Sequence, residues 1–310
     1  MNLWLALAVN RWSKVFFDAI QFRQLDGIVR SLEELVVLVA GTALVAVATI
    51  QCRMRLQVGW RFWMMQSLIQ SWLHPKINGD VPVSIVIDNP EARIADDVRI
   101  ALELFVDLAG GIINMVLVST AFIAVLWNVG GSHELFGVTV PGYLVMAVFI
   151  YVAITTFVMS ILARPLVRSV EEKAAAEGDF RYALTEARVN VTEKALPESR
   201  VDIDEDIRNG FDHLAKKWRG VIRGQTKIVL LNSANYLLAP SVPLLLCAPK
   251  YLAGMMTLGD LIQAAAAFVQ VQTSLNWLTD NALSLANWSA SAHRVASLDL
   301  DMQRRLSSPS

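Results

Sequence analysis

Glu171–Asn190 reads EEKAAAEGDFRYALTEARVN, a charged segment in an otherwise greasy chain. From Arg164 to Lys227 the chain holds 25 of its 55 charged residues, and long uncharged apolar runs lie on either side. Phe180, Leu184, Ala187, Val191 and Ala195 recur at helical spacing, with Glu, Asp and Arg between them. The pattern predicts an amphipathic helix outside the membrane, joining two pairs of membrane helices. Pattern alone leaves two roles open for it, a solvated linker and a docking surface.

The totals agree with a membrane setting. The 310 residues are 55% hydrophobic, with a mean hydropathy of +0.45. A soluble domain is usually roughly 45–50% apolar. The net charge of -1 gives no reason to expect a nucleic-acid partner. Cys52 and Cys247 sit near the ends of different apolar runs, which the topology below puts at opposite membrane faces, so no disulfide is expected. No CxxC or CxxH spacing suggests a metal site. No cleavable signal peptide is visible.

Met1–Val9 is apolar but rises only about 13 Å as helix, against the roughly 30 Å of a bilayer core. It reads as the tail of a first span, and translation is expected to start upstream of Met1. Asn10–Glu34 is amphipathic, and Trp12, Phe16, Phe17 and Phe22 suit a helix lying at the interface. Leu35–Cys52 is the first complete span. Trp60, Trp63 and Trp72 mark a helix leaving the membrane, which His74-Pro75 ends. A new helix starts near Pro90, capped by Asn89 or Asp88, with Glu91 opposing the positive end of its dipole. It runs into a second span, 108–132. Gly130–His133 is a turn, and Leu135–Ala163 is the third span, bracketed by Pro141 and Pro165. Residues 228–249 form the fourth span, interrupted by Pro240, Pro243 and Pro249. Leu261–Thr279 is the fifth, with small residues that permit close helix contact.

Cations set the orientation. With the charged insert cytoplasmic, one side carries 22 Lys and Arg, and the other only Arg11, Lys14, Arg23, Arg30 and Lys250. Catalytic motifs are missing: no G-x-x-x-x-G-K-[ST] phosphate loop, no H-E-x-x-H and no G-x-S-x-G. GVIRGQTK, Gly220–Lys227, has glycines at the wrong spacing for a phosphate loop. His74, His133, His213 and His293 are scattered. Glu103, Asp107, Asp260 and Asp280 sit near span ends, as interfacial acids do, and the second, third and fourth spans hold no acid that would mark a proton path.

Four motifs occur in order: NRWSKVFFDAIQ, DNPEARIADDVRI, EGDFRYALTEARVN and GMMTLGDLIQAAAAFVQVQTSLNW. Together they resemble the membrane domain of SbmA/BacA-like ATP-binding cassette half-transporters, a group that includes bacterial peptide and vitamin B12 transporters and is related to peroxisomal fatty-acyl transporters. The resemblance runs from about Asn10 to Arg294. It implies an all-α, polytopic, exporter-type ABC transmembrane domain, with six spans per protomer and a homodimeric assembly. Here about five full spans and a partial first one are read, with helical cytoplasmic loops at 53–107 and 164–227, in a single permease domain over residues 1–300 and a polar tail at 301–310. The resemblance further implies that cytoplasmic loops dock on nucleotide-binding domains. It would give that role to Asn89, Pro90, Glu91, Arg93, Asp96 and Asp97 in one loop, and to Glu177, Gly178, Asp179, Phe180 and Arg181 in the other.

This sequence departs from the family in three ways. Most of the first span is missing, no nucleotide-binding domain follows, and Thr192 and Lys194 replace an acidic and an apolar residue. The expectation is a transporter subunit of the bacterial inner membrane that moves a peptide or a bulky, vitamin-like solute. ATP would be bound and hydrolysed on another polypeptide, with no cofactor in this chain. Two alternatives stand beside it: a proton-driven peptide importer, and a truncated scaffold that transports nothing. The orientation is open to test. A cysteine introduced at Glu186 should be shielded from membrane-impermeant thiol reagents in intact cells, and one near His133 should react. Labelling of Glu186→Cys from outside would reverse the topology.

Overall fold

The computed structural model describes residues 3–73, 91, 93–135, 138–193 and 197–307. Among these run α1 (Leu3–Gln21), α2 (Leu25–Leu73), a π-helical turn (Arg93–Asp97), α3 (Val98–Gly130), β1 (Ser132–Leu135), β2 (Val138–Pro141), α4 (Tyr143–Glu193), α5 (Pro197–Leu252), α6 (Leu258–Asp280) and α7 (Ala282–Ser307). The protein is an all-α polytopic membrane protein. Four of the helices are long and apolar enough to cross a bilayer, within Leu25–Gln70, Arg93–Gly130, Tyr143–Val189 and Glu205–Leu252. The chain divides into two compact units, residues 1–148 with 242–310, and residues 149–241.

In the first unit α1 and α2 form an antiparallel hairpin. Its turn is closed by hydrogen bonds from Phe22, Arg23 and Gln24 amides to Asp18, Ile20 and Ala19 carbonyls, with Arg23 at φ 55°. At Gly27 an added Cβ would lie 3.1 Å from that of Ala19, so the hairpin closes tightly there. Trp12 stacks on Phe16 with centroids 5.2 Å apart, and its indole N–H donates to the Ser31 carbonyl at 2.7 Å. The interfacial helix expected over Asn10–Glu34 is therefore not a separate element. Its first half completes α1, its second half begins α2, and Trp12 joins the two while Phe22 stays exposed. Leu3–Val9 likewise belongs to a 19-residue helix, about 28 Å long.

Polar groups of α1 receive the start of α6. Thr257 forms a capping box with Asp260. Gln21 Oε1 and Asp18 Oδ1 accept the next two amide hydrogens, from Leu258 and Gly259. Lys14 pairs with Asp260 at 2.6 Å. Amide hydrogens orphaned at a helix N-terminus are thus taken up by a neighbouring helix. The fifth expected span, 261–279, is a 23-residue helix, but Gln263, Gln270, Gln272 and Asn276 make it less apolar than the four above. Its small residues are buried, with Ala264, Ala267, Phe268 and Val271 at 0% exposure.

Three proline readings change. Leu135–Ala163 does not begin as a span: Ser132–Leu135 pairs antiparallel with Val138–Pro141, Ser132 opposite Pro141. The helix starts after Gly142, at φ 64°, where any Cβ would strike Trp127. Pro165 lies inside α4 rather than ending it. Pro240, Pro243 and Pro249 lie inside an unbroken α5. A proline costs a helix one hydrogen bond and a clash, and packing offsets this at Pro165. In the second unit Leu166 meets Gly224, and Ser169 meets Gly220. Residues 282–307 are helical, so α7 runs into the polar tail expected at 301–310. The breaks expected at His74-Pro75 and the caps at Asp88 and Asn89 lie outside the described residues.

Gly111 packs under Trp277, whose ring would be 2.0 Å from an added Cβ, whereas nothing lies within 4 Å of one at Gly110. Gly111→Ala should destabilise the protein in detergent by about 1–3 kcal/mol through overpacking. Gly110→Ala should be neutral or slightly stabilising, since alanine favours helix by about 1 kcal/mol. Thermal unfolding of both variants checks the contrast, and equal midpoints would refute the contact.

Candidate functional site

The two segments expected to couple to a partner fall in different units, and each is taken by itself. In the first unit the chain enters α3 through the π-helical turn Arg93–Asp97. Such turns interrupt α-helices mostly at functional positions. Ile94 and Val98 anchor this one, forming a buried cluster with Leu68 of α2 and Val295 and Leu298 of α7. Asp97 accepts two hydrogen bonds from Arg294, from Nε at 2.8 Å and Nη2 at 2.7 Å. Arg294 Nη2 also donates to Ser291 Oγ at 2.9 Å. A planar guanidinium gripping a carboxylate through two parallel bonds fixes direction as well as distance. The π-turn is therefore tied to α7 by an apolar cluster and by a two-point ionic clamp.

The other residues of this segment face outward. Asp96 lies 3.8 Å from Arg99, which also meets Glu103 at 3.5 Å. Glu91 is exposed and Arg93 half-buried. Asn89 and Pro90 lie outside the described residues. Sequence reasoning named Asp97 but missed Arg294, because a partner 197 residues away leaves no local spacing to read.

In the second unit α4 and α5 form an antiparallel hairpin, with Tyr151 donating to Asn235 Oδ1 at one end and Phe180 meeting Phe211 at the other. EEKAAAEGDFRYALTEARVN is not a separate helix but the far end of α4. Glu177 pairs with Lys173 at 3.2 Å, and Lys173 also sits 3.9 Å over the Trp218 ring. Gly178 has open space around it. Phe180 is half-buried, its ring 6.0 Å from that of Phe211, over Gly210, where a Cβ would meet it at 3.3 Å. Asp179 and Arg181 are exposed, and so is Tyr182, at 72%. The surface this segment offers is thus Gly178, Asp179, Arg181 and Tyr182, with Phe180 turned into the hairpin. Tyr182 was missed, although it sits beside Arg181. The side chain of Thr192 and the whole of Lys194 lie outside the described residues.

Residues 1–252 match the family described as ABC transporter transmembrane region 2. The chain belongs to that family. An uncharacterized ABC transporter ATP-binding protein of Haemophilus influenzae is 26% identical over 71% of this chain and 38% of its own length. The inner membrane ABC transporter ATP-binding protein YddA of Escherichia coli is 22% identical over 95% of this chain and 53% of its own. ABC transporter D family member 2, chloroplastic, of Arabidopsis thaliana is 23% identical over 79% of this chain and 33% of its own. The chain thus spans between about a third and about a half of the length of these relatives. The matched region is the transmembrane part of that family, in a multi-pass membrane protein.

The clamp makes a prediction. Arg294→Lys keeps the charge but loses the two-point grip, and should raise amide hydrogen exchange along 288–298. Asp97→Arg should do so more strongly. The exchanged pair Asp97→Arg/Arg294→Asp should restore much of the protection. Unchanged exchange in all three would show that the clamp does not hold α7.

Proposed function

We propose that this chain is the membrane subunit of an SbmA/BacA-like ABC transporter of the bacterial inner membrane, acting as a homodimer. It moves a peptide or a bulky, cofactor-like solute. ATP is bound and hydrolysed by a nucleotide-binding domain on another polypeptide, which docks on this chain. The observation that carries the reading is a chain of this family whose longest helices run far past the hydrocarbon. α4 has 51 residues and α5 has 56, about 77 and 84 Å of helix against a core of about 30 Å. Helix that outruns the bilayer by this much serves no spanning purpose. Its outer end carries exposed charge beside an aromatic, the composition that meets a soluble partner without exposing a large apolar patch. Relatives longer than this chain are named ATP-binding proteins, which favours coupling to ATP.

In this proposal the docking surface on the hairpin is Glu177, Gly178, Asp179 and Arg181, with Tyr182 beside them. Phe180 acts through the hairpin by holding α4 on α5. On the other unit the surface is the approach to α3, with Glu91, Arg93 and Asp96 presented and Asp97 clamped; Asn89 and Pro90 join it on the sequence resemblance alone. Arginines and aromatics at interface centres are worth roughly 2 kcal/mol or more each, or about thirtyfold in affinity.

The test uses uptake by membrane vesicles supplied with the ATPase and a labelled peptide. Arg181→Glu/Tyr182→Ala should lower ATP-dependent uptake by at least about tenfold while leaving the subunit inserted, whereas Phe180→Ala should also loosen the hairpin and lower its thermal stability. ATP-dependent transport that survives the double substitution would remove the docking role from this segment. Uptake that collapses with an uncoupler and persists without ATP would replace the ATP-driven reading with a proton-driven one.

A further inference from the structure

The second unit contains a cavity that the docking proposal does not use. About 460 Å³ in volume, it lies between α4 and α5 and is lined by Ser169, Glu172, His213, Lys216, Lys217, Gly220 and Arg223. Its shape comes from the glycines of GVIRGQTK. At Gly220 an added Cβ would lie 3.4 Å from Ser169 Oγ, and at Gly224 one would lie 2.9 Å from Leu166 Cδ1. Two glycines four residues apart bring the helices together here, as small residues do in membrane helix pairs. One turn further along, longer side chains hold them apart, and the cavity opens.

The charge in the cavity is lopsided. Glu172 is its single acid, and two cations neutralise it: Lys217 at 3.1 Å and Arg168 at 3.3 Å. Among the described residues, neither Lys216 nor Arg223 has a carboxylate within ion-pair distance. Arg223 spends only its Nε, on the Arg219 carbonyl at 3.2 Å, so its two terminal nitrogens are available. His213 and Ser169 complete the polar lining. Such a set, with a guanidinium and an ammonium at one mouth, matches the charge and the acceptor-rich shape of a phosphate.

Its position supplies the second half of the argument. Arg164, Arg168, Arg223 and Lys227 are the cations that flank the ends of the apolar runs. Exposed Val167, Val170 and Ile222 stand within a few residues of the cavity lining. A basic cavity close to that boundary, with exposed apolar side chains interleaved among its lining residues, suits an amphiphile whose head is phosphate. Basic pockets between membrane helices hold anionic headgroups in this way.

We propose that this cavity binds a phosphate group, with the headgroup of an anionic phospholipid as its source in the membrane. The site is independent of the transported solute and of ATPase docking. Lys216 and Arg223 supply the uncompensated charge and Gly220 the room, while the Ser169 hydroxyl stays on the Pro165 carbonyl at 3.1 Å.

The experiment reconstitutes the full chain in bilayers of phosphatidylcholine doped with phosphatidylglycerol, re-extracts it in mild detergent, and counts each retained lipid per protein by mass spectrometry. The wild type should retain phosphatidylglycerol in excess over its share of the bilayer. Lys216→Gln and Arg223→Gln should each weaken that binding by roughly fivefold, and the double variant by about thirtyfold. Arg219→Gln is the control, removing an equal charge from the same helix outside the cavity lining, and it should retain the excess. Equal thermal unfolding of the double variant and the control excludes misfolding as the cause. A second arm titrates the detergent-solubilised protein with inorganic phosphate. Saturable phosphate binding lost in the double variant would support the phosphate site and assign it to a soluble source if no lipid is retained. The absence of both phosphatidylglycerol enrichment and phosphate binding would overturn the proposal, as would a double variant that retains as much lipid as Arg219→Gln.

Discussion

Inside hydrocarbon a backbone amide has no water to bond, so each must find its partner within the protein. That constraint accounts for the continuity of these helices where they cross the hydrocarbon. It also explains why irregular backbone among the described residues is confined to helix ends. Between α3 and α4 the chain returns through a paired hairpin rather than an open loop, and its strands satisfy each other from Ser132↔Pro141 to Leu135↔Val138. At the same end Lys250, only 7% exposed, donates to the Gly130 carbonyl. A cation on the last carbonyls of α3 meets the negative end of that helix's dipole. The capping of α6 by α1 is the same rule at another terminus. Asp18, Gln21 and the Thr257–Asp260 box take up the orphaned amide hydrogens, so the polar residues of α1 have a structural occupation.

The amino-acid pattern revealed the apolar runs, the charged insert and the helical class, because burial in lipid and exposure to water impose different compositions on long stretches. It misjudged residues whose conformation is decided by contacts distant in sequence. Pro165 looks like a stop, since alone it would be one. It is tolerated because Leu166 and Ser169 are packed on Gly224 and Gly220 of α5. Trp12 and Phe16 look interfacial by type, yet the indole hydrogen is spent on Ser31. Lys14 counted among the cations on the sparse side of the membrane, but it is held by Asp260. A charge count sees a residue and not its partner.

For the segments proposed to dock a partner, the sequence pattern names residues but not their contacts. DNPEARIADDVRI marked the approach to α3, and the π-turn and its clamp lie within it. The feature that gives Asp97 its role is Arg294 on the last helix, across 197 residues of chain. Phe180 was legible as the apolar member of a charged helix. Whether such a residue faces a partner or its own hairpin depends on Phe211 and on the bare surface of Gly210, and no periodicity within one helix carries that information.

The two kinds of contact at the π-turn divide the mechanical task between them. The cluster of Leu68, Ile94, Val98, Val295 and Leu298 is apolar and non-directional. It holds α2, α3 and α7 together while tolerating small rotations, since burial depends on area removed from water rather than on angle. The Asp97–Arg294 clamp is directional, with two parallel bonds in one plane, and rotation of α7 about its axis would break one before the other. The clamp therefore fixes the rotational setting of α7 against the start of α3, and the cluster supplies the area that keeps the three helices in contact. Under the docking proposal, a load on the π-turn would reach α7 first through the ion pair, since that contact alone has a direction.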